Sequence, residues 1–179
     1  MLSLPALAKK KGSPPMAAGA LGDRTCAASK CHASYDLNSG NAEIFIEGLP
    51  ETYTPNEIYE ITLSLKQKKA KVFGFQATVS DAEGNAVGQL MSMEGENTQM
   101  LDNARYKSRT NRQYITHTLD GIKAPKKGIS QTWKIQWQAP DTAAVTPAFY
   151  FAFNAANRNN KKTGDHIYTR QLQVLPAPE

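Results

Sequence analysis

Thr132-Trp-Lys-Ile-Gln-Trp-Gln138 alternates without a break, placing Trp133, Ile135 and Trp137 on one side and Thr132, Lys134, Gln136 and Gln138 on the other. A repeat of two residues is that of an extended strand, whose successive side chains leave opposite faces of a sheet. Two tryptophans and an isoleucine on one face need apolar cover. In a chain that shows no helical period, that cover is a second sheet, so the stretch predicts one wall of a β-sandwich core. Ile58-Tyr-Glu-Ile-Thr-Leu-Ser-Leu65 repeats the pattern, with Tyr59, Ile61, Leu63 and Leu65 on the apolar side.

Working outward, six more segments read as strands between turn residues: 42–47, 72–79, 86–90, 113–119, 146–154 and 166–174, while the tryptophan strand extends over 129–138. Gly48-Leu-Pro50, Pro125, Pro140-Asp141 and the 157–164 loop supply breaks. Asp81-Ala-Glu-Gly-Asn85 predicts a hairpin joining 72–79 to 86–90, because Gly84 and Asn85 tolerate positive φ. Its carboxylates lack the spacing of a calcium loop. The expected fold is all-β: an immunoglobulin-like antiparallel β-sandwich over residues 41–175, preceded by an irregular segment over 1–40 and followed by a tail at 176–179. Residues 91–111, with Met91, Met93 and Met100, are expected as one long polar connection.

The chain has 179 residues, room for one well-filled core. Lysine and arginine exceed aspartate and glutamate by 21 to 16, and the basic residues fall in short runs at 9–11, 66–71, 105–112, 123–127 and 158–162. That spread reads as solvation, without the single basic stripe and interleaved aromatics of a nucleic-acid binder; it also suits steering toward an acidic protein partner. No apolar stretch approaches the roughly 20 residues of a transmembrane helix. Residues 1–8 resemble the end of a secretory signal, with Ala6-x-Ala8 as a small-residue cleavage site, and read equally well as a short irregular terminus. No Ser-His-Asp order, carboxylate pair or phosphate-cradling glycine loop is present, so hydrolytic chemistry has no support and no enzyme is expected.

The two cysteines, Cys26 and Cys31, are five positions apart, and His32 follows the second. In c-type haem attachment two thiols add across the porphyrin vinyls and the adjoining imidazole ligates iron, which requires all three on one tight turn. The usual spacing is Cys-x-x-Cys-His; four residues intervene here. Two other readings stay open on spacing alone. Cys26 and Cys31 can close a short disulfide loop. They can also contribute to a metal site with His32, His117 or His166, although these are poorly spaced for a zinc finger.

Further landmarks surround this segment: Gly19-Ala-Leu-Gly-Asp23 before Thr25-Cys26, Tyr53-Thr-Pro-Asn-Glu-Ile-Tyr59, Gly74-Phe-Gln-Ala77, Tyr114-Ile-Thr-His-Thr118, Trp137-Gln-Ala-Pro140, Phe149 to Asn157 and Gly164-Asp-His-Ile-Tyr-Thr169. In this order, over roughly residues 12–174, the chain resembles the bacterial reeler-like domains grouped as choice-of-anchor V and, more distantly, animal reelin domains. The resemblance implies an immunoglobulin-like sandwich in the periplasm or outside the cell, and many bacterial relatives look to carry Cys-x-x-Cys-His at the matching place. It therefore implies one covalent haem c on Cys26 and Cys31 with His32 as proximal iron ligand. The four-residue spacing departs from those relatives.

The expected function is that of an extracytoplasmic monohaem c-type cytochrome passing single electrons between redox protein partners, possible subunits of a membrane-bound complex included. The alternative is a haem-free secreted binding or structural module with a Cys26–Cys31 disulfide. Candidates for the distal iron position are His117, in the Thr-His-Thr strand, and Met91, Met93 or Met100; an open distal site would permit catalysis. His166 is expected at a strand end on the surface, Asp165 with 157–160 as turn formers, and Tyr53, Tyr59, Trp133 and Trp137 as packing residues.

Overall fold

In the computed structural model, which describes residues 12–28, 32–106, 110–123, 129–159, 161 and 163–178, the described residues form eleven strands and one 3-10 turn. They are β1 (Glu43–Glu47), β2 (Thr52–Tyr53), β3 (Ile58–Lys66), β4 (Val72–Ser80), β5 (Gln89–Ser92), β6 (Thr98–Met100), β7 (Ile115–His117), the turn Asp120–Ile122, β8 (Ser130–Gln138), β9 (Ala148–Ala156), β10 (His166–Gln173) and β11 (Leu175–Pro176). One sheet runs β1-β3-β8-β5, the second β10-β9-β4-β7-β6, and β11 lies beside β2. Pairing within the two large sheets is antiparallel. The fold is an antiparallel β-sandwich.

The period-two faces pack as the alternation requires. Ile61, Leu63, Leu65, Trp133, Ile135 and Trp137 are fully buried and meet the aromatic wall of Phe75, Phe149, Phe151 and Phe153. The rings interlock edge-on, Trp137 against Phe149 with centroids 5.0 Å apart at 84°. Both indole N–H groups are satisfied, Trp133 donating to the Gly121 carbonyl at 2.8 Å and Trp137 to that of Val87 at 3.1 Å.

Four expectations are corrected. The turn at 81–85 closes locally, with Asp81 accepting from the Asn85 backbone and side chain, but it does not join a hairpin: β4 and β5 belong to different sheets and share only the Ser80–Ala86 bridge. The chain changes sheet at Gly88, whose φ of +64° and contact with Trp137 leave no room for a side chain; a Cβ there would lie 2.3 Å from the Gln138 carbonyl oxygen. Residues 91–111 are not one connection, since β6 forms within them. The segment 113–119 shortens to three residues because the His117 ring replaces a ladder bond, accepting the Phe75 N–H at Nδ1 (3.0 Å). The tail is partly tied down, β11 running parallel to β2.

The second sheet is covered on both faces. Gln76, Thr78 and Thr116 on its outer side are buried although polar. Residues 12–28 cross them as a strap: Gln76 accepts from the Ala17 N–H (2.7 Å) and donates to Ser13 Oγ and the Pro14 carbonyl. Gly12 rests directly on the Thr116 side chain.

Candidate functional site

The strap delivers the cysteine-histidine segment to one end of the second sheet. It folds on itself through the Ala18–Thr25 bridge and is pinned by Asp23. This carboxylate accepts from Arg112 Nη2 (2.6 Å) and from the Tyr114 hydroxyl (2.9 Å), with the Asp23 and Arg112 side chains 0% and 3% exposed. Burial pushes the Asp23 carboxyl up against the pull of Tyr114 and Arg112, and burial together with the Asp23 charge pushes the Tyr114 phenol up. Arg112 also donates to the Leu21 carbonyl at 2.7 Å. The two Nη groups thus hold residues 21–23, while Nε donates to the Tyr114 hydroxyl at 3.1 Å.

Beyond it, Cys26 Sγ reaches the Ala17 carbonyl at 3.7 Å, and the His32 N–H donates to the Cys26 carbonyl at 2.9 Å, closing the segment into one loop. Cys31 lies outside the described residues, as do residues 1–8. The His32 ring docks on the turn between β9 and β10. Its Nδ1 lies 2.7 Å from Asp165 Oδ2, and the carboxylate is 2% exposed. Asp165 Oδ1 in turn accepts the Asn157 N–H at 3.1 Å, and the Gly164 N–H donates to Ser34 Oγ at 2.9 Å. Asp165 thus forms the turn, as expected, and also orients His32, a partner 133 residues distant that sequence spacing does not reveal.

A carboxylate on Nδ1 fixes the tautomer with the proton on that nitrogen and leaves the Nε2 lone pair for a ligand. Among the described residues His32 Nε2 has no hydrogen-bond partner. This is the donor chemistry of a metal-ligating imidazole with its outer-shell carboxylate, and Cys26 lies on the same loop. This donor set is compatible with a haem held by thioether and imidazole, in which His32 would be the ligand and Asp165 its outer-shell carboxylate.

The other candidates are not brought to His32. His117 is on β7, three strands from β10, buried between the Phe75 backbone and Gly74; a Cβ at Gly74 would sit 2.5 Å from its Cε1. Desolvation lowers its pKa to about 4, so the ring is neutral. Met91 and Met100 line a shallow cleft of about 650 Å³ between β5 and β6, together with Leu90, Leu101 and Asn103, and Met93 follows β5. That cleft adjoins the edge of the second sheet opposite β10. His166 is half-buried beneath the Tyr35 ring, the two stacked at 4.1 Å and 3°. Asp23, Arg112 and Gln76, which hold the strap, escape sequence reasoning because polar residues read as solvent-facing until the strap folds over them.

No protein-family model and no curated protein matches the chain. Among solved structures it is similar to the Reelin-N domain of F-spondin, at 16% identity over 82% of this chain and 95% of that one, with a TM-score of 0.53. The human F-spondin reeler domain gives 17% identity over 81% and 96%, with a TM-score of 0.52. These likenesses establish a reeler-like fold. Among the described residues no helix is long and apolar enough to cross a membrane.

Proposed function

We propose that the chain is an exported monohaem cytochrome in which Cys26 and Cys31 tether haem c, His32 ligates the iron, and the sandwich presents the group to redox partner proteins. The observation that carries the reading is the His32–Asp165 pair at 2.7 Å on the same closed loop as Cys26. A histidine that merely caps a turn has no need of a buried carboxylate on Nδ1, whereas a ligand imidazole gains basicity and a fixed ring orientation from it.

Bound there, the haem supplies a one-electron couple between ferric and ferrous iron. The chain's own contributions are separable. Cys26 and Cys31 would hold the group through thioethers to its vinyl side chains, and His32 would ligate its iron. Asp165 holds the proton at His32 Nδ1 and keeps the ring from rotating. The Asp23–Arg112–Tyr114 clasp and the Gln76 bonds fasten the strap to a rigid sheet, so the loop's position does not depend on the loop alone.

The test is expression in a host that matures c-type cytochromes, followed by the visible spectrum and the mass of the denatured chain. A Soret band with one haem retained covalently is expected. A chain of unmodified mass, or one carrying only a Cys26–Cys31 disulfide despite competent maturation, overturns the proposal and leaves the haem-free secreted module.

A further inference from the structure

The turns at the two ends of the sandwich carry opposite charge. At one end, residues 47–57, 81–88, 139–147 and 174–178 contain Glu47, Glu51, Glu57, Asp81, Glu83 and Asp141 and no lysine or arginine, while the turn between β6 and β7, at the same end, adds Asp102, the exposed Arg105 and Arg112, the last paired with Asp23. At the other end the turns after β3, before β8 and after β9 converge. The Lys71 N–H donates to the Ala156 carbonyl (2.8 Å), the Gln67 N–H to that of Ile129 (2.8 Å), and Val72 bridges Lys123. Here Lys68, Lys69, Lys71, Lys123, Arg158 and Lys161 are exposed, outnumbering the carboxylates of Glu94, Glu96 and Asp120 on the adjoining turns. Of these cations only Lys123 is in an ion pair among the described residues, with Asp120. The His32–Asp165 pair sits within this end, on the turn that carries Arg158 and Lys161.

We propose that this basic end is the docking face for an acidic patch on a redox partner protein, and that the charge separation along the strands turns the His32 end toward it. The inference rests on the haem reading of residues 26–32 and names the partner's chemistry. Unpaired, exposed cations gain from meeting carboxylates across an interface, chiefly in encounter rate and orientation. The carboxylate end contributes to the same outcome, being repelled by the partner that attracts the other end. Asn157, Asn159 and Thr163, interleaved with the cations, are amides and a hydroxyl suited to the polar rim of a protein interface, and the exposed Tyr35, Leu119 and Ile129 at the same end offer it apolar contact. A second copy joined head to tail satisfies the charges but separates the two His32 segments by a strand length, about 30 Å for nine residues.

The experiment uses a gold electrode bearing a carboxylate-terminated monolayer as the probe, on the full chain, with adsorption and interfacial electron-transfer rate recorded together at rising ionic strength. Lys68, Lys69 and Lys71 are changed together to Glu; a control changes the exposed Arg24, Arg105 and Arg170 to Glu. Each triple variant takes the formal charge from +5 to −1. The basic-end variant is expected to lose about tenfold or more in adsorption and electron-transfer rate at low salt, and the control to lose much less. Equal losses in both variants, or none in either, overturn the proposal. So does co-flotation of the wild-type chain with phosphatidylcholine vesicles containing 30% phosphatidylglycerol at 0.15 M salt, which assigns the face to a membrane, and so does salt-sensitive self-association in sedimentation, which assigns it to a second copy. If the chain carries no haem, its adsorption still reports on the docking face, and the haem reading fails separately by mass and spectrum.

Discussion

Replacing His117 by Asn tests whether this histidine is a neutral member of the sheet. Its Nδ1 accepts the Phe75 N–H at 3.0 Å, its ring presses on Gly74, and burial lowers its pKa to about 4. An unfolded histidine titrates near 6.5. Between these values the unfolded chain binds a proton that the folded chain refuses, so stability is full above about pH 6.5 and falls as the pH drops toward 4. At about 1.4 kcal/mol per pH unit the loss reaches about 3 kcal/mol. Asn offers its Oδ1 near the place of Nδ1 and has no proton to gain, so His117→Asn should remove this slope whatever it costs at neutral pH. The assay is urea unfolding of the haem-free chain at half-unit steps from pH 7.5 to 4, with the variant's curve subtracted from the wild type's. A difference that stays flat across the range refutes the buried-neutral assignment. In the haem-loaded chain the same variant decides the distal ligand, because removing an iron-bound imidazole would change the spin state in the visible spectrum, whereas removing a sheet histidine would not.

Asp23→Ala leaves the Arg112 guanidinium, 3% exposed, without its carboxylate, and should destabilise the chain by about 3–5 kcal/mol and speed proteolysis within the strap; Arg112→Met in the same chain should recover part of this, both read by urea unfolding. Gly88→Ala places a Cβ 2.3 Å from the Gln138 carbonyl oxygen at a φ of +64°, and at least about 2 kcal/mol should be lost, against about 1 kcal/mol for Gly95→Ala, where the φ of +80° alone opposes the change and the added atom meets nothing within 4 Å. Asp165→Asn keeps the acceptor for the Asn157 N–H but removes the negative charge from His32 Nδ1. In the haem-loaded chain the reduction potential should rise, each tenfold loss of preference for ferric iron being worth about 59 mV. In the haem-free chain nitrogen NMR should show the His32 proton leaving Nδ1. An unchanged tautomer and potential would reduce Asp165 to a turn former.

What the sequence discloses here depends on the range of the interaction. Alternation at Ile61 to Leu65 and at Trp133 to Trp137 is local, and it settles which side of each strand is buried. The loop closed by the His32 N–H on the Cys26 carbonyl is local in the same way, spanning six positions. Gln76, Thr78 and Thr116 are polar residues of a strand, and only the strap folding over them turns an outer face into an interior one. Gly88 is one glycine among twelve until Trp137 stands beside it. Asp165 acquires its role from His32, 133 residues away.

Charge follows the same logic at the scale of the whole molecule. The basic runs at 66–71, 123–127 and 158–162 read as scattered, since thirty or more residues separate each from the next and a further run at 105–112 lies between the first two. Antiparallel pairing returns the chain to the same end after every second strand. Because β3 ends, β4 and β8 begin, and β9 ends there, the turns beside them stack at one end, while the acidic turns fall at the other. Nothing in a linear charge count distinguishes this polarised body from an evenly solvated one of the same net charge. If the polarity matters to function, two chains of identical composition, one with Lys68, Lys69 and Lys71 exchanged for Glu47, Glu51 and Glu57, should fold alike and differ in how fast they meet an acidic surface. Similar rates would mean that the net charge, and not its placement by the topology, governs the encounter.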